Sequence, residues 1–286
     1  MGVGTAADGY VLLNVLSRLA EERFSGTLWT EGALVEGTVV LSSGLLVAAD
    51  TPVAPGVESL LLRSGRVSRE DWTDALAEAA PEGRLRAELV ERGLIGDASV
   101  QVVTQTAAMD ALFALTLADV FACVPNPGVA DPLIPLVPGM DAGRVVRETR
   151  RRLAVASGWR ELGLHARAHP RTTSAAPPID EGRAELLVQV NGRRTVSDLA
   201  FLLGRGLFAV MFDMALLHRD GQIAFDQPQP AATSALSWPG HPDDGPPLVV
   251  SRLPSGEAED LGTPADSADS PPRRRLISRR GARGAR

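Results

Sequence analysis

The order of apolar and polar positions divides the chain into stretches of helical and strand period. Leu12, Leu13, Leu16, Leu19 and Ala20 recur at helical spacing and predict a first helix over about Tyr10 to Arg23, with Asp8 placed to cap it. Three short runs rich in Val, Leu, Thr and Trp follow: Gly26 to Thr30, Thr38 to Leu41 and Leu45 to Ala49. Ser42-Ser43-Gly44 supplies a tight turn between the last two, so an antiparallel meander is expected. Beyond Pro55 the period is helical again over Val57 to Arg63, Ser68 to Ala80, Arg84 to Arg92 and Asp97 to Leu117. Ser68 and Asp97 are the expected caps, and Asp71 and Asp74 add negative charge near one helix start.

Two segments of this helical region repeat. Leu61-Leu62-Arg63-Ser64-Gly65-Arg66-Val67-Ser68 and Leu89-Val90-Glu91-Arg92-Gly93-Leu94-Ile95-Gly96 share two apolar residues, two spacers, a Gly and a hydrophobic step. Gly65 and Gly93 end helices where a left-handed backbone is easiest for Gly. Paired helical hairpins packed on the sheet are expected.

Asp119 to Val124 reads as a return to the sheet, after which five prolines between Pro125 and Pro138 predict a linker. Residues 140–153 form an Arg-rich helix with Arg144, Arg147 and Arg151 along one side, and Ala168 to Pro178 is a loop. A second compact region is expected over Ile179 to Asp226. It holds a helix at Glu181 to Val190, a turn at Asn191-Gly192-Arg193-Arg194 and a helix at Val196 to Leu203 capped by Thr195. A third helix at Leu207 to His218 follows, then a turn and short strand at Asp220 to Phe225. The expected division is therefore 8–125, a linker at 126–178, 179–226 and a tail at 227–286.

Composition changes this picture mainly at the C-terminus. Residues 227–272 carry ten prolines, seven acids and one Arg, a mixture that buries too little apolar surface to offset chain entropy and reads as disordered. Arg273 to Arg286 has seven arginines and no acid, so the body carries −7, the acidic stretch −6 and the end +7. The whole-chain charge of −6 does not favour a nucleic-acid coat or a membrane surface, and any anion-binding site must be local. All 29 basic residues are Arg, which with the abundant Ala, Gly and Pro reads as codon bias. The N-terminus lacks a basic region followed by an apolar run, and no segment approaches ~18 continuous apolar residues. A cytoplasmic protein without a membrane span is expected.

The opening helix, the Phe24-Ser25-Gly26-Thr27-Leu28 entry to a strand, the Gly37 to Ala49 hairpin and the helices after it resemble the PATAN-type domain of bacterial regulatory proteins. Leu186 to Ile223, with Val190-Asn191-Gly192-Arg193-Arg194-Thr195-Val196 before two helices, resembles the winged-helix-like module that often accompanies it. The resemblance implies an α+β fold, with a small antiparallel sheet and helical hairpins followed by a mainly α winged-helix-like domain. It also implies a signalling adaptor or transcriptional regulator without enzymatic activity. The repeat is similar to the N-terminal domain of type II secretion ATPases, where such a doubled motif can bind cyclic di-GMP. Here Arg84-Leu85-Arg86 stands where that motif has Arg-Leu-Gly, and Gln105 falls near its closing Gln. Arg in place of Gly removes the close backbone approach a nucleotide needs, so a nucleotide second messenger is not expected.

No catalytic group assembles in the sequence, and neither an enzyme nor a cofactor is expected. His165 and His169 share an i, i+4 spacing but lie in a loop-like stretch without a carboxylate at metal spacing. Cys123, the only cysteine, forms no intrachain disulfide, and its apolar flanks predict a buried structural thiol. The Leu207 to Leu217 helix is apolar on every side except Asp213, which disfavours a DNA-reading role and suits burial against a partner, a second copy or its own domain. Phe208, Met211 and Phe212 are therefore the candidate interaction residues. Arg193, Arg194, Arg205, Arg273, Arg274 and Arg275 are the candidate contacts to a phosphate backbone, should the chain be a DNA-binding regulator instead.

Overall fold

The computed structural model describes residues 10–32, 35–118, 120, 122–128, 132–173 and 180–225, all within one compact unit. It is a mixed α+β fold. Helix α1 (Val11–Glu21) buries Leu12, Leu13, Leu16 and Leu19, the apolar stripe read from the sequence; Asp8 lies outside the described residues. Strands β1 (Gly26–Glu31), β2 (Glu36–Ser42) and β3 (Leu45–Asp50) form the expected meander. A fourth strand, β4 (Ala122–Pro127), pairs with β1, giving the antiparallel order β3-β2-β1-β4. The expected strand ended at Val124, but β4 runs on through Pro125 and Pro127, opposite Leu28 and Gly26. An edge position tolerates proline because one side of such a strand needs no donors.

Between β3 and β4 lie α2 (Val57–Arg63), α3 (Arg69–Ala79), α4 (Leu85–Glu91) and α5 (Asp97–Leu117). Of these, α5 rests on the sheet, against β3 and β2. The shorter helices instead build a second apolar core with the first half of α5, around Leu61, Trp72, Leu85, Leu89 and Val100. The sequence repeat is a repeat of helix ends. The amides of Arg66 and Val67 donate to Leu61 O, those of Leu94 and Ile95 donate to Leu89 O, and Gly65 and Gly93 sit at φ 68° and 67°. Ser68 caps α3 as expected, accepting from Asp71 N at 3.1 Å. Asp97 does not cap α5, because Arg86 draws its carboxylate toward α4 with contacts of 2.7 and 3.0 Å.

Residues 132–173, most of the expected linker, pack onto the fold. Leu136 N donates to Val47 O, and Leu46 and Met140 exchange backbone hydrogen bonds, so the proline-rich stretch straps the open edge of β3. Helix α6 (Ala142–Val155) then buries Val145, Val146, Thr149 and Leu153 against α1 and α5. Part of the expected loop is strand β5 (Pro170–Thr172), which pairs antiparallel with β6 (Ile223–Phe225); residues 174–179 lie outside the described set.

Helices α7 (Glu181–Gln189), α8 (Val196–Leu203) and α9 (Leu207–Arg219) lie between β5 and β6. Thr195 caps α8 in a full capping box with Asp198. This region shares its core with the first: Leu199, Val210, Met211 and Met214 belong to the same apolar cluster as Leu12, Leu28 and Phe113. Ser197 Oγ donates to Val53 O at 2.8 Å, and Gly204, at φ 59°, passes against the end of α2.

These contacts predict a contrast between two left-handed glycines. Nothing lies within 4 Å of a Cβ added at Gly65, so Gly65→Ala should cost only the backbone strain of about 1 kcal/mol in urea unfolding. At Gly204 the added Cβ would meet Arg63 Cβ at 2.6 Å, so Gly204→Ala should cost about 1–3 kcal/mol more.

Candidate functional site

Asp110 stands in the middle of α5 and is 2% exposed. Arg152 Nη1 of α6 donates to its Oδ1 at 2.6 Å, and Phe208 N–H of α9 donates to Oδ2 at 3.3 Å. Gly206, the N-cap residue of α9, has no side chain to offer, so Asp110 supplies the cap from another helix. A Cβ at Gly206 would stand 2.5 Å from that carboxylate oxygen. The Arg152 guanidinium lies 4.9 Å from the centroid of the Phe208 ring, a cation–π geometry. Phe208 meets Phe113 edge-on at 5.0 Å and stacks near Trp159 at 6.0 Å. Burial pushes the Asp110 carboxyl above the usual carboxylate range, and Arg152 with the α9 amides opposes that push.

On the solvent side of Arg152, α5 and α6 enclose a groove of about 510 Å³. Arg144, Arg147, Arg151 and Arg152 line one wall with Glu148 between them, while Met109 and Met140 contribute apolar floor. Glu148 accepts both Arg151 contacts at 2.8 Å and one from Arg152 at 3.1 Å. Those hydrogen bonds, chiefly Arg151's, pull its carboxyl down to about 2. Among the described residues the side chains of Arg144 and Arg147 have no ion-pair or hydrogen-bond partner.

A second opening, about 690 Å³, lies on the outer face of the sheet. Strict alternation in β1 turns Leu28 and Thr30 inward and Trp29 outward, where it is 55% exposed. Its cross-strand neighbours are Thr38 on β2 and Val124 on β4, the latter 61% exposed. Trp72, Ile134 and Phe201 form the facing wall, and Asp50 and Glu58 stand at the rim. The indole Nε1 of Trp72 is buried and has no acceptor among the described residues.

The residues expected to form an interaction face are divided. Met211 is a core residue, because Leu207, Val210, Met211, Met214 and Leu217 share the inward side of α9. Phe208 is half-buried in the aromatic cluster, and Phe212 is 40% exposed beside it. The arginines are divided as well. Arg205 is held by Asp213 at 2.5 Å and by Gly182 O at 3.3 Å. Arg194 donates to Gln189 O at 3.2 Å and Oε1 at 2.9 Å, closing the end of α7. Arg193 is exposed on the turn, with its backbone N–H on Asn191 Oδ1; Arg273, Arg274 and Arg275 lie outside the described residues.

In the nucleotide-like motif, Arg84 pairs with Glu82, Leu85 is core, and Arg86 binds Asp97 and Gln101; Gln105 lines the groove beside α6. His165 and His169 lie in the loop before β5, and burial lowers the His165 pKa, with Arg160 and His169 adding to it. Cys123 is half-buried, less enclosed than its flanks suggested, and burial raises its thiol. Among the described residues no group of three His, Cys, Asp or Glu is placed to hold a metal ion. One described helix, Asp97–Leu117, is long and apolar enough to cross a membrane, but 72% of its most apolar 18-residue window is buried in the fold, as its central place requires. Val196–Leu203 and Leu207–Arg219 pass the same test only as a pair, bent by 119°. No family model, no curated protein and no solved structure matches the chain.

Sequence reasoning missed Asp110 and Trp29. The signal for the first was a single carboxylate inside the apolar run Ala107 to Leu115, and for the second a Trp at an outward position of a strand. Asp110→Ala removes the buried partner of Arg152, leaving it Glu148 alone, and uncaps α9, and should lower stability by about 3 kcal/mol in urea unfolding. The depressed Glu148 carboxyl stabilises the fold fully above pH 4.5, and this contribution is lost as pH falls toward about 2. Glu148→Gln should therefore flatten the part of the melting-temperature profile between those pH values.

Proposed function

We propose that this chain is a non-enzymatic regulatory protein that acts as a protein-docking adaptor, a PATAN-type domain joined to a winged-helix-like module. The observation that carries the reading is the exposed Trp29 on the outer sheet face, which lines a 690 Å³ cleft and has the exposed Val124 as its neighbour on β4. Large aromatic groups left half in water at the edge of a cleft are typical anchors for a partner. Asp50 and Glu58 on the rim suit a segment with an apolar anchor and basic flanks.

The alternative, a DNA-binding regulator, draws support from exposed Arg193 on the turn before α8. Against it, α9 gives its apolar side to the core, and Arg194 and Arg205 are engaged within the fold. A photo-crosslinking aromatic residue placed at Trp29 of the full-length protein should join it, in the producing cell, to a discrete second protein. Val124→Asp should abolish that adduct. No adduct, together with salt-sensitive duplex retardation lost in Arg193→Ala, would establish the DNA-binding reading instead.

A further inference from the structure

We infer that the groove between α5 and α6 is a binding site for a small phosphorylated ligand of nucleotide size. Arg144, Arg147 and Arg151 recur along one side of α6 over seven residues, about 10 Å of helix. These guanidinium groups are exposed, and like charges spaced this way repel modestly, which an anion between them relieves. Glu148 supplies one, and Arg151 and Arg152 consume it. Arg144 and Arg147 are left facing the same cavity without a counter-charge among the described residues. The planar guanidinium fork matches the oxygens of a phosphoryl group, and two adjacent forks match a diphosphate.

The rest of the lining points to an organic ligand rather than a bare anion. Met109, Met140 and the 62% exposed Val102 form an apolar floor that an inorganic ion would leave in water. Beside them, the Gln105 amide has no hydrogen-bond partner among the described residues and can read a polar edge. A volume of about 510 Å³ falls in the ~300–1,000 Å³ range of small-molecule sites, and its concavity favours such a ligand over a duplex. The ligand reaches Arg152, whose other contacts are Glu148, Asp110 and the Phe208 ring, so occupancy braces the junction of α5, α6 and α9. This site is independent of docking at Trp29.

The test uses full-length protein and ADP carrying a fluorescent ribose label. Arg144→Gln/Arg147→Gln should weaken binding at least tenfold. Arg150→Gln removes an exposed charge of the same helix that does not line the groove, and should change it less than twofold. Phenylglyoxal modification mapped by mass spectrometry should show Arg144 and Arg147 protected by ADP. Equal losses in both variants, or protection confined to residues 273–286, would overturn the assignment. So would displacement of the labelled ADP by duplex DNA or poly-glutamate at lower concentration than by ADP itself.

Discussion

A carboxylate cannot sit in an apolar helix without partners, and Asp110 finds them on two other helices. Its charge is met by Arg152 from α6, and its second oxygen receives the first amides of α9, which has no cap of its own. The price of leaving either group alone in that interior fixes where α6 and α9 can lie on α5. The aromatic cluster of Phe113, Trp159 and Phe208 then fills the space that the ion pair spans. Everything on the far side of α6, including its row of arginines, takes its position from this contact.

The same helix serves two cores. The first half of α5 meets the short helices of the repeat, and its second half lies between the sheet and α9. This double duty explains why its sequence is apolar on nearly all sides, with 13 buried residues in 21. It also explains why the boundary expected near residue 126 is not a break. The strap from Leu136 to Met140 and the hydrogen bond from Ser197 to Val53 tie later segments to earlier ones.

What could be read from the sequence was local. The stripe of α1, the meander, the Ser68 and Thr195 caps and the paired Gly65 and Gly93 turns depend on neighbours within one or two turns. The row Arg144, Arg147, Arg151 was legible too, as helical spacing. The other wall of its groove was not, because it comes from α5, and the Asp110 pairing spans 42 residues to Arg152 and 98 to Phe208. The apolar circumference of α9 fitted either a partner or the chain's own domain, and only the tertiary packing decides that most of it meets the chain's own core. Prolines read as the end of a strand, yet Pro125 and Pro127 continue one, since an edge leaves them no missing partner.

The two margins of the sheet are both partly blocked against strand addition. On one side, Pro125 and Pro127 deprive β4 of donors; on the other, backbone from Leu136 to Met140 already occupies positions along β3. An incoming extended peptide, or a second copy pairing edge to edge, therefore finds fewer free backbone groups at either margin than an open strand would offer. Under the docking reading proposed above, that leaves the outer face of the sheet, where side chains rather than backbone discriminate. A surface of that kind selects partners by the shape and charge of their residues, and tolerates little of the sequence-blind pairing that open sheets invite.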